Sequence, residues 1–141
     1  MLKIRLIPVL LLKNGILVRS RNFSLHQLMG NHIDQVKRFS EWKADEIIYL
    51  DISRDSSYDL GNIDNIIGSS SSKAKVVRES KKNMIEIIKD LSKFCRVPLT
   101  IGGKIRSIED IRQRLKAGAD KVVINTAALD DPEFIKKAAR E

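Results

Sequence analysis

The stretch Ser107–Asn125, SIEDIRQRLKAGADKVVIN, contains one helix and one strand with clear limits. Ser107 followed by Asp110 is typical of a capping box, and apolar residues then recur at helical spacing. Gly118 marks the end of this helix, because glycine readily adopts the left-handed backbone of a helix C-terminus. The apolar run that begins at Lys121 is typical of a buried strand. The stretch therefore predicts a helix that leads into a strand, the repeating unit of a parallel α/β sheet.

The same alternation continues on both sides of this stretch. Buried strands are predicted at Ile4–Leu12, Glu46–Ile52, Val97–Ile101 and Lys121–Asn125. A helical pattern follows each strand, and the last helix opens at Pro132, since proline suits the first helical position. Four such units in series predict one α/β domain over residues 1–141, with parallel strands side by side in chain order and helices on the outer face.

Local signals predict the first turn and the first two helices. Lys13-Asn14-Gly15 predicts a tight turn, after which Ile16–Val18 returns as a short strand. Asn31 and Ser80 are the predicted helix caps. The apolar stripes of the two helices are Ile33, Val36, Phe39 and Trp42 in the first, and Met84, Ile85, Ile87, Ile88, Leu91 and Phe94 in the second.

A long segment, residues 53–78, separates the second predicted strand from its helix. Connections of this kind are usually about 2–6 residues long, and this one is rich in Ser and Asp, which predicts a mobile insertion loop. It leaves the carboxyl end of a strand, where parallel α/β sheets bind ligands. A lid or partner-docking loop is one interpretation, a tolerated surface insertion is the other, and both stay open.

Composition and charge narrow the class of protein. Hydrophobic residues make up 43% of the chain, which indicates a globular protein. The sequence has no run of 18 apolar residues, so no membrane span is predicted. The formal charge of +8 suits a phosphorylated small molecule, an acidic protein partner or simply a solvated basic surface. Nucleic acid is not expected as a partner, because aromatic residues make up only 5% and no basic run alternates with them.

Cysteine and histidine usage points to no metal and no disulfide. The single cysteine, Cys95, lacks an internal partner, and the N-terminus lacks a signal-peptide pattern, so the cytosol is the expected compartment. His26 and His32 are not spaced as metal ligands, and both are predicted to lie on a helix or loop surface.

Four segments resemble one family, the cyclase subunit of imidazole glycerol phosphate synthase. They are RLIPVLLLKNGILVRSRNF from residue 5, ADEIIYLDI from residue 44, VPLTIGGKI from residue 97 and GADKVVINTAAL from residue 118. The resemblance implies a (βα)8 barrel that accepts ammonia from a glutaminase subunit and makes the imidazole ring of the histidine precursor, a lyase reaction. Some family members are associated with surface-glycan (lipopolysaccharide) synthesis, and for these the resemblance implies a supply of ammonia for sugar amidination. The resemblance implies no cofactor.

Only the first half of that barrel is present in the 141 residues. A closed barrel of this type has eight βα units in about 250 residues, so the expected fold is a parallel (βα)4 half of a TIM-type (βα)8 barrel. The edges of an open sheet attract other strands. Three interpretations stay open: the chain is a truncated piece of a longer barrel, half of a split barrel, or a chain that pairs with itself. In the last two we expect it to pair with a second half-barrel or with a second copy.

The resemblance implies a charged ammonia entrance at the start of the strands. Arg5, Glu46 and Lys121 match three charges of the family's gate, and Asp120 resembles a contact to the glutaminase. Each gate charge begins a strand whose inward-facing residues are mostly apolar, so the three need one another as partners. The alternative interpretation is that they are ordinary charges at strand starts.

At the opposite end of the first strand the chain departs from the family. Leu11 stands where the family has an aspartate that serves as general acid/base, and leucine can neither give nor take a proton. Leu11 is otherwise explained by simple core filling. The substitution leaves it open whether the chain keeps the cyclase chemistry.

Matches to the family's phosphate-binding positions follow the later strands. Gly102-Gly103 resembles a backbone nest for phosphate, with Lys104 in place of a third glycine. Lys104 either restrains a backbone that needs positive φ or adds an ammonium for the phosphate. The other matching positions are Asn125, Thr126 and Arg19, which replaces a loop lysine.

Three functions are consistent with these residues. The first is a cyclase-type subunit of a glutamine-dependent amidotransferase, which accepts ammonia from a glutaminase and acts on a phosphorylated substrate. The second is a non-catalytic subunit that conducts ammonia or docks the glutaminase for glycan synthesis. The third is a plain phosphate-binding half-barrel.

Overall fold

The computed structural model describes residues 3–22, 24–54, 58, 66–67, 73 and 83–140. In chain order the elements are β1 (Val9–Lys13), β2 (Ile16–Arg21), β3 (Leu25–Gly30), α1 (His32–Glu41), β4 (Ile47–Asp51), β5 (Ile66–Ile67), α2 (Met84–Phe94), β6 (Leu99–Gly102), α3 (Ile108–Ala117), β7 (Lys121–Val123), α4 (Thr126–Asp130) and α5 (Pro132–Ala138). Within these described residues, no helix is both long and apolar enough to cross a membrane.

The sheet has the order β5-β3-β2-β1-β4-β6-β7, and its last four strands are parallel to one another. Strand β4 lies between β1 and β6, and β7 pairs with β6. These four strands are the predicted ones in the predicted order. The α/β class with alternating strands and helices is therefore confirmed, and the arrangement is a partial TIM-type barrel.

The parallel strands differ from the prediction at their limits. β1 begins at Val9 rather than Ile4, because the segment ahead of it contacts its neighbour only through isolated bonds, such as the one from the Ile48 amide to the Pro8 carbonyl at 3.0 Å. β6 begins at Leu99 rather than Val97, after a proline that lacks an amide donor. β7 ends at Val123, two residues before the predicted end.

An antiparallel hairpin extends the sheet beyond β1. The predicted turn is present, with Asn14 and Gly15 both at positive φ, and the returning strand runs on to Arg21. The sequence analysis did not predict β3, which pairs with β2, or β5, which pairs with β3. β5 falls within segment 53–78, and its Ile66 is buried. Most of that segment, and with it the predicted mobility, lies outside the described residues.

Helix caps follow the sequence except in α2. The Asn31 side chain accepts a hydrogen bond from the Ile33 amide, as predicted for α1. The cap of α2 is Asn83, which accepts from the Glu86 amide at 3.0 Å. The predicted cap, Ser80, was wrong because the described helix begins only at Met84; Ser80 itself lies outside the described residues.

The helix of the opening stretch, α3, has the predicted ends. Ser107 and Asp110 form a reciprocal capping box, in which each side chain bonds to the other residue's backbone amide. At the other end Gly118 adopts a left-handed backbone with φ of 118°. Both ends of α3 are therefore fixed by local bonds.

The helices cover one face of the parallel strands and form the main core. This core includes the side chains Leu12, Val36, Ile47, Tyr49, Ile87, Ile88, Leu91, Leu99 and Ile101. The last residue of each predicted apolar stripe, Trp42 for α1 and Phe94 for α2, is exposed and does not belong to the core. The opposite face carries Val9, which is exposed, and Ile48 and Leu50, which are only partly buried.

The prediction of surface histidines was wrong. His26 on β3 is 4% exposed, and His32 at the start of α1 is 7% exposed. The hairpin strand that carries His26 was not predicted, so its burial beside β5 could not be foreseen. The carbonyl of His32 accepts a hydrogen bond from the buried Tyr49 hydroxyl at 2.9 Å, which ties α1 to β4.

Candidate functional site

At the amino ends of the parallel strands, Glu46 gathers three partners. Its Oε2 accepts a hydrogen bond from Arg5 Nη2 at 2.8 Å and another from Lys121 Nζ at 2.9 Å. Its Oε1 accepts a hydrogen bond from the Thr100 hydroxyl. The structure therefore brings together the three charges predicted from the sequence and adds Thr100, which the sequence analysis missed. We call Arg5, Glu46, Thr100 and Lys121 the Glu46 cluster.

The electrostatics of the Glu46 cluster favour the ionised carboxylate. The Glu46 side chain is only 7% exposed, whereas Arg5 and Lys121 keep about half of their side-chain surface in solvent, at 49% and 53%. The hydrogen bond from Thr100, followed by that from Lys121, lowers the pKa of Glu46 to about 2 against the opposing effect of burial. The cluster thus holds one buried negative charge between two solvent-accessible cations.

Two aspartates next to the cluster fix the strand starts in the same way. The Asp45 side chain accepts a hydrogen bond from the Leu6 amide at 2.8 Å, while its own amide donates to the Leu6 carbonyl. Asp120 makes the same pair of bonds with Leu99, also at 2.8 Å from amide to carboxylate. Asp120, predicted to touch a glutaminase, is exposed at this end of the sheet, and its bond to Leu99 gives it a structural role within the chain as well.

A cavity of about 810 Å³ lies at the other end of the sheet, where β4, β6 and β7 finish. Its position agrees with the general rule that parallel α/β sheets bind ligands at the carboxyl ends of their strands. Cations and anions both line it: Arg54, Lys104, Arg106, Asp51, Asp130 and Asp131. The cavity can therefore take a charged ligand.

The predicted site residues divide into those that line the cavity and those that do not. Gly103, Lys104, Asn125 and Thr126 line it together. Gly102 is buried at the end of β6 and Arg19 is exposed on β2, and neither is among the lining residues. The proposed phosphate-binding positions are thus brought together from β6 and β7, while the hairpin position stays apart.

The turn Gly102-Gly103-Lys104, which we call the glycine turn, is tightly packed. A Cβ atom on Gly102 would lie 2.5 Å from a methyl group of Leu50, and one on Gly103 would lie 2.2 Å from the Asp51 carbonyl oxygen. Gly103 and Lys104 both have positive φ, at 91° and 56°. Lys104 therefore occupies the left-handed backbone that the sequence analysis considered, a conformation that a lysine adopts only at some cost.

Asp51 organises the cavity floor and was missed from the sequence. Its side chain is 1% exposed and accepts hydrogen bonds from the Ser53 hydroxyl at 2.5 Å and the Tyr58 hydroxyl at 2.9 Å. Lys104 Nζ lies 3.4 Å from Asp51 and 5.1 Å from the centre of the Tyr58 ring. The Lys104 ammonium is thus held by the chain itself at the edge of the cavity. An aspartate at the end of a buried strand was the available signal.

The Tyr58 hydroxyl stays protonated in this arrangement. Burial, reinforced by the neighbouring Asp51 charge, raises the pKa of Tyr58. The hydroxyl is therefore a hydrogen-bond donor to Asp51 and not a base.

Leu11 packs into an apolar cluster. It contacts a small core formed by Ile16, Val18 and Ile66, together with Leu28 and Ile52. It pairs with Val18 on one side and Leu50 on the other, and it is not among the cavity-lining residues. The alternative of core filling thus has a direct structural basis.

Among the described residues, no three of His, Cys, Asp and Glu come together in a group that could hold a metal ion.

The fold and the site together define a class. Parallel βα units with a ligand-sized cavity at the carboxyl ends of their strands are the features of a TIM-type α/β barrel. Residues 5–141 match the model of a family described as histidine biosynthesis protein. The chain belongs to that family.

Individual relatives are similar over nearly the whole chain. A "putative imidazole glycerol phosphate synthase subunit hisF2" from Vibrio vulnificus is 40% identical over 139 residues, which cover 99% of this chain and 43% of the relative. A protein of the same name from Campylobacter jejuni is 40% identical over 138 residues, or 98% of this chain and 46% of its own length. The "imidazole glycerol phosphate synthase subunit HisF" of Lactococcus lactis subsp. cremoris is 38% identical over 141 residues, or 100% and 46%. The chain thus spans a little under half the length of these relatives.

Proposed function

We propose that the chain is part of a cyclase-type subunit of a glutamine-dependent amidotransferase, in which ammonia from a glutaminase reaches a phosphorylated substrate. The observation that carries this proposal is the Glu46 cluster, because a buried carboxylate between two accessible cations suits a gate at the amino ends of the strands. The names of the relatives, which are subunits of imidazole glycerol phosphate synthase, support the same reaction class.

The face of the sheet between the two sites supports a path for ammonia. Register places Val9 beside Ile48 and Ile48 beside Thr100, with Leu50 beside Gly102 one step further toward the cavity. Apolar side chains along such a path offer no acid that would convert ammonia into ammonium. At the end of the path, the glycine turn and Asn125 and Thr126 would hold the substrate phosphate.

The proposal is tested in the assembled complex of the complete barrel with its glutaminase. Glutamate release and incorporation of nitrogen into product are measured together, so that the fraction of ammonia transferred is known. Lys121→Ala opens one side of the Glu46 cluster, and we expect it to lower the transferred fraction while glutamate release continues. Lys116→Ala, an exposed lysine on α3, is the control. An unchanged transferred fraction in Lys121→Ala would contradict the gate.

The packing of Leu11 favours a second candidate, in which the chain keeps the ammonia path and has no ring-closing activity. An aliphatic side chain that packs against Ile16, Val18 and Ile66 offers no proton for ring closure. A general acid or base is worth about 10²–10⁴-fold in rate, so cyclisation of the histidine precursor is expected near background. The acceptor would then be a different one, and a sugar to be amidinated fits the glycan branch of the family.

Leu11→Asp separates the two candidates. If position 11 limits only the chemistry, the carboxylate should raise the rate of cyclisation in the same complex. Leu11→Asn, which is of similar size and also polar but cannot act as a base, controls for the disturbed packing. Efficient cyclisation by the protein with Leu11 intact would reject the second candidate and favour ordinary histidine biosynthesis.

A further inference from the structure

Arg114 is a charged residue on the buried side of α3. Only 6% of it is exposed, although α3 presents polar residues elsewhere. A buried guanidinium is costly unless its donors are satisfied, so its partners indicate why it is there. Neither the ammonia path nor the cavity lining includes this side chain.

Arg114 pairs with carbonyl oxygens of the glycine turn and with Asp110, whose Oδ1 lies 3.8 Å from Nη1. Its Nε is buried and has no hydrogen-bond partner among the described residues. Nη2 donates to the Gly103 carbonyl at 3.1 Å and, at 3.4 Å, to the carbonyl of Lys104. Nη1 donates to the Asp110 carbonyl one turn back along α3, at 3.0 Å, which anchors the guanidinium. One rigid side chain therefore fixes two successive peptide groups of the turn.

The planarity of the peptide bond sets the consequence. In a trans peptide the carbonyl and the following amide point in opposite directions. The two carbonyls face Arg114, so the amides of Lys104 and Ile105 face the opposite side, where both residues line the cavity. Successive amides in a turn with left-handed residues form a concave anion-binding surface.

The turn is also held from its other side. The Gly103 backbone lies directly against the Asp51 carbonyl, and the Lys104 ammonium pairs with the Asp51 carboxylate. The glycine turn is thus clamped between the end of β4 and Arg114. Removing Arg114 releases only one side of this clamp.

We propose that Arg114 is a positioning residue for the anion subsite of the cavity. It touches no ligand; it acts through the glycine turn, whose two amides it directs at a phosphate group. The inference rests on the proposed function, which places a phosphorylated substrate in this cavity. It adds a residue on an outer helix that determines how well the phosphate is bound.

The probe for the test is inorganic phosphate, titrated into the ¹⁵N-labelled protein and followed at the Lys104 and Ile105 amide signals. Two variants are compared with the unmodified protein. Arg114→Met removes the donors with little loss of volume, and Arg114→Lys keeps the charge but loses the planar fork that bridges carbonyls. Ala117→Gly, on the same helix but away from the turn, controls for a general loss of helix stability.

We expect both Arg114 variants to bind phosphate about tenfold more weakly or worse, as for a lost charged hydrogen bond, while Ala117→Gly binds normally. Normal binding by both Arg114 variants would overturn the inference and leave the phosphate subsite intact. Normal binding by Arg114→Lys alone would also overturn it, in favour of simple charge attraction. No amide response in the unmodified protein would remove the phosphate subsite from the proposed function, and the inference with it. Should Arg114→Met fail to fold, Arg114→Lys decides the matter.

Discussion

Glu46 accepts hydrogen bonds from three side chains that belong to three different segments of the sheet. Arg5 precedes β1, Thr100 is on β6 and Lys121 begins β7. Because the cluster joins segments far apart in the chain, Glu46 contributes to stability as well as to any gate. The two contributions are separable, since stability is measured without a glutaminase.

Glu46→Gln should lower the free energy of unfolding by about 1–2 kcal/mol at neutral pH, because charged hydrogen bonds are lost to partners that are half exposed. The folded-state pKa of about 2 lies below the ordinary value of 4.5. The ionised carboxylate therefore contributes its full stability above pH 4.5 and loses it as the pH falls through about 2.

Urea unfolding at several pH values measures this difference. We expect the gap between the unmodified protein and Glu46→Gln to be constant near neutral pH and to narrow between pH 4.5 and pH 2. Glu41→Gln, at an exposed position on α1, is the control and should show no such gap. A gap that is independent of pH would show that the partners of Glu46 do not lower its pKa.

The glycine turn shows how backbone conformation limits substitution within one element. Gly103→Ala would place a methyl group 2.2 Å from the Asp51 carbonyl oxygen at a φ of 91°. Gly30→Ala is a matched control, because Gly30 has a φ of 96° but nothing within 4 Å of the added atom. The two variants separate backbone strain from steric overlap.

Gly30→Ala should cost about 1 kcal/mol, the usual penalty for a left-handed backbone. Gly103→Ala should cost clearly more, about 3 kcal/mol or above, since the backbone of β4 or β6 must move. Chemical denaturation of both variants is the measurement. Equal losses would mean that the turn relaxes freely and is not clamped.

The elements also differ in how far the sequence predicts them. The parallel strands and α3 were predictable because burial and capping leave periodic, local marks, such as Ser107 with Asp110. β3 and β5 were not, because β5 has only two residues and exists through its pairing with β3.

Within the site, the three charges of the Glu46 cluster followed from a family resemblance, whereas Thr100 did not. Tyr58 and Arg114 did not, because their roles depend on contacts between distant elements. One sequence feature did indicate the burial of Arg114: it lies three residues after the buried Ile111, on the same face of the helix.

At the scale of the molecule, large apolar side chains are exposed on both sides of the four parallel strands, near the start of β1 and after β7. Ile4, Leu6 and Val9 are 92%, 73% and 52% exposed beside β1, and Leu129 is 77% exposed beyond β7. Contiguous apolar surface and open strand edges favour association. The isolated 141-residue chain should therefore assemble with copies of itself.

Light scattering over a range of concentrations tests this assembly. Val9→Glu places a charge on the open face and should shift the chain toward the monomer. Trp42→Glu changes a still more exposed apolar residue just after α1, on the helical side, and should leave the assembly unchanged. A well-folded monomer of the unmodified chain at all concentrations would contradict the prediction.

The paired bonds of Asp45 and Asp120 have a wider consequence. Asp45 joins the first βα unit to the second, and Asp120 joins the third to the fourth, each with the same two hydrogen bonds. The chain is thus built from two pairs of βα units, or barrel quarters, and each quarter has the same kind of hydrogen-bonded joint inside it. A gene segment encoding such a quarter could be duplicated, and the new copy would carry its own means of setting strand register. A barrel that grows by successive duplication of such quarters then needs no new pair of hydrogen bonds within each added quarter.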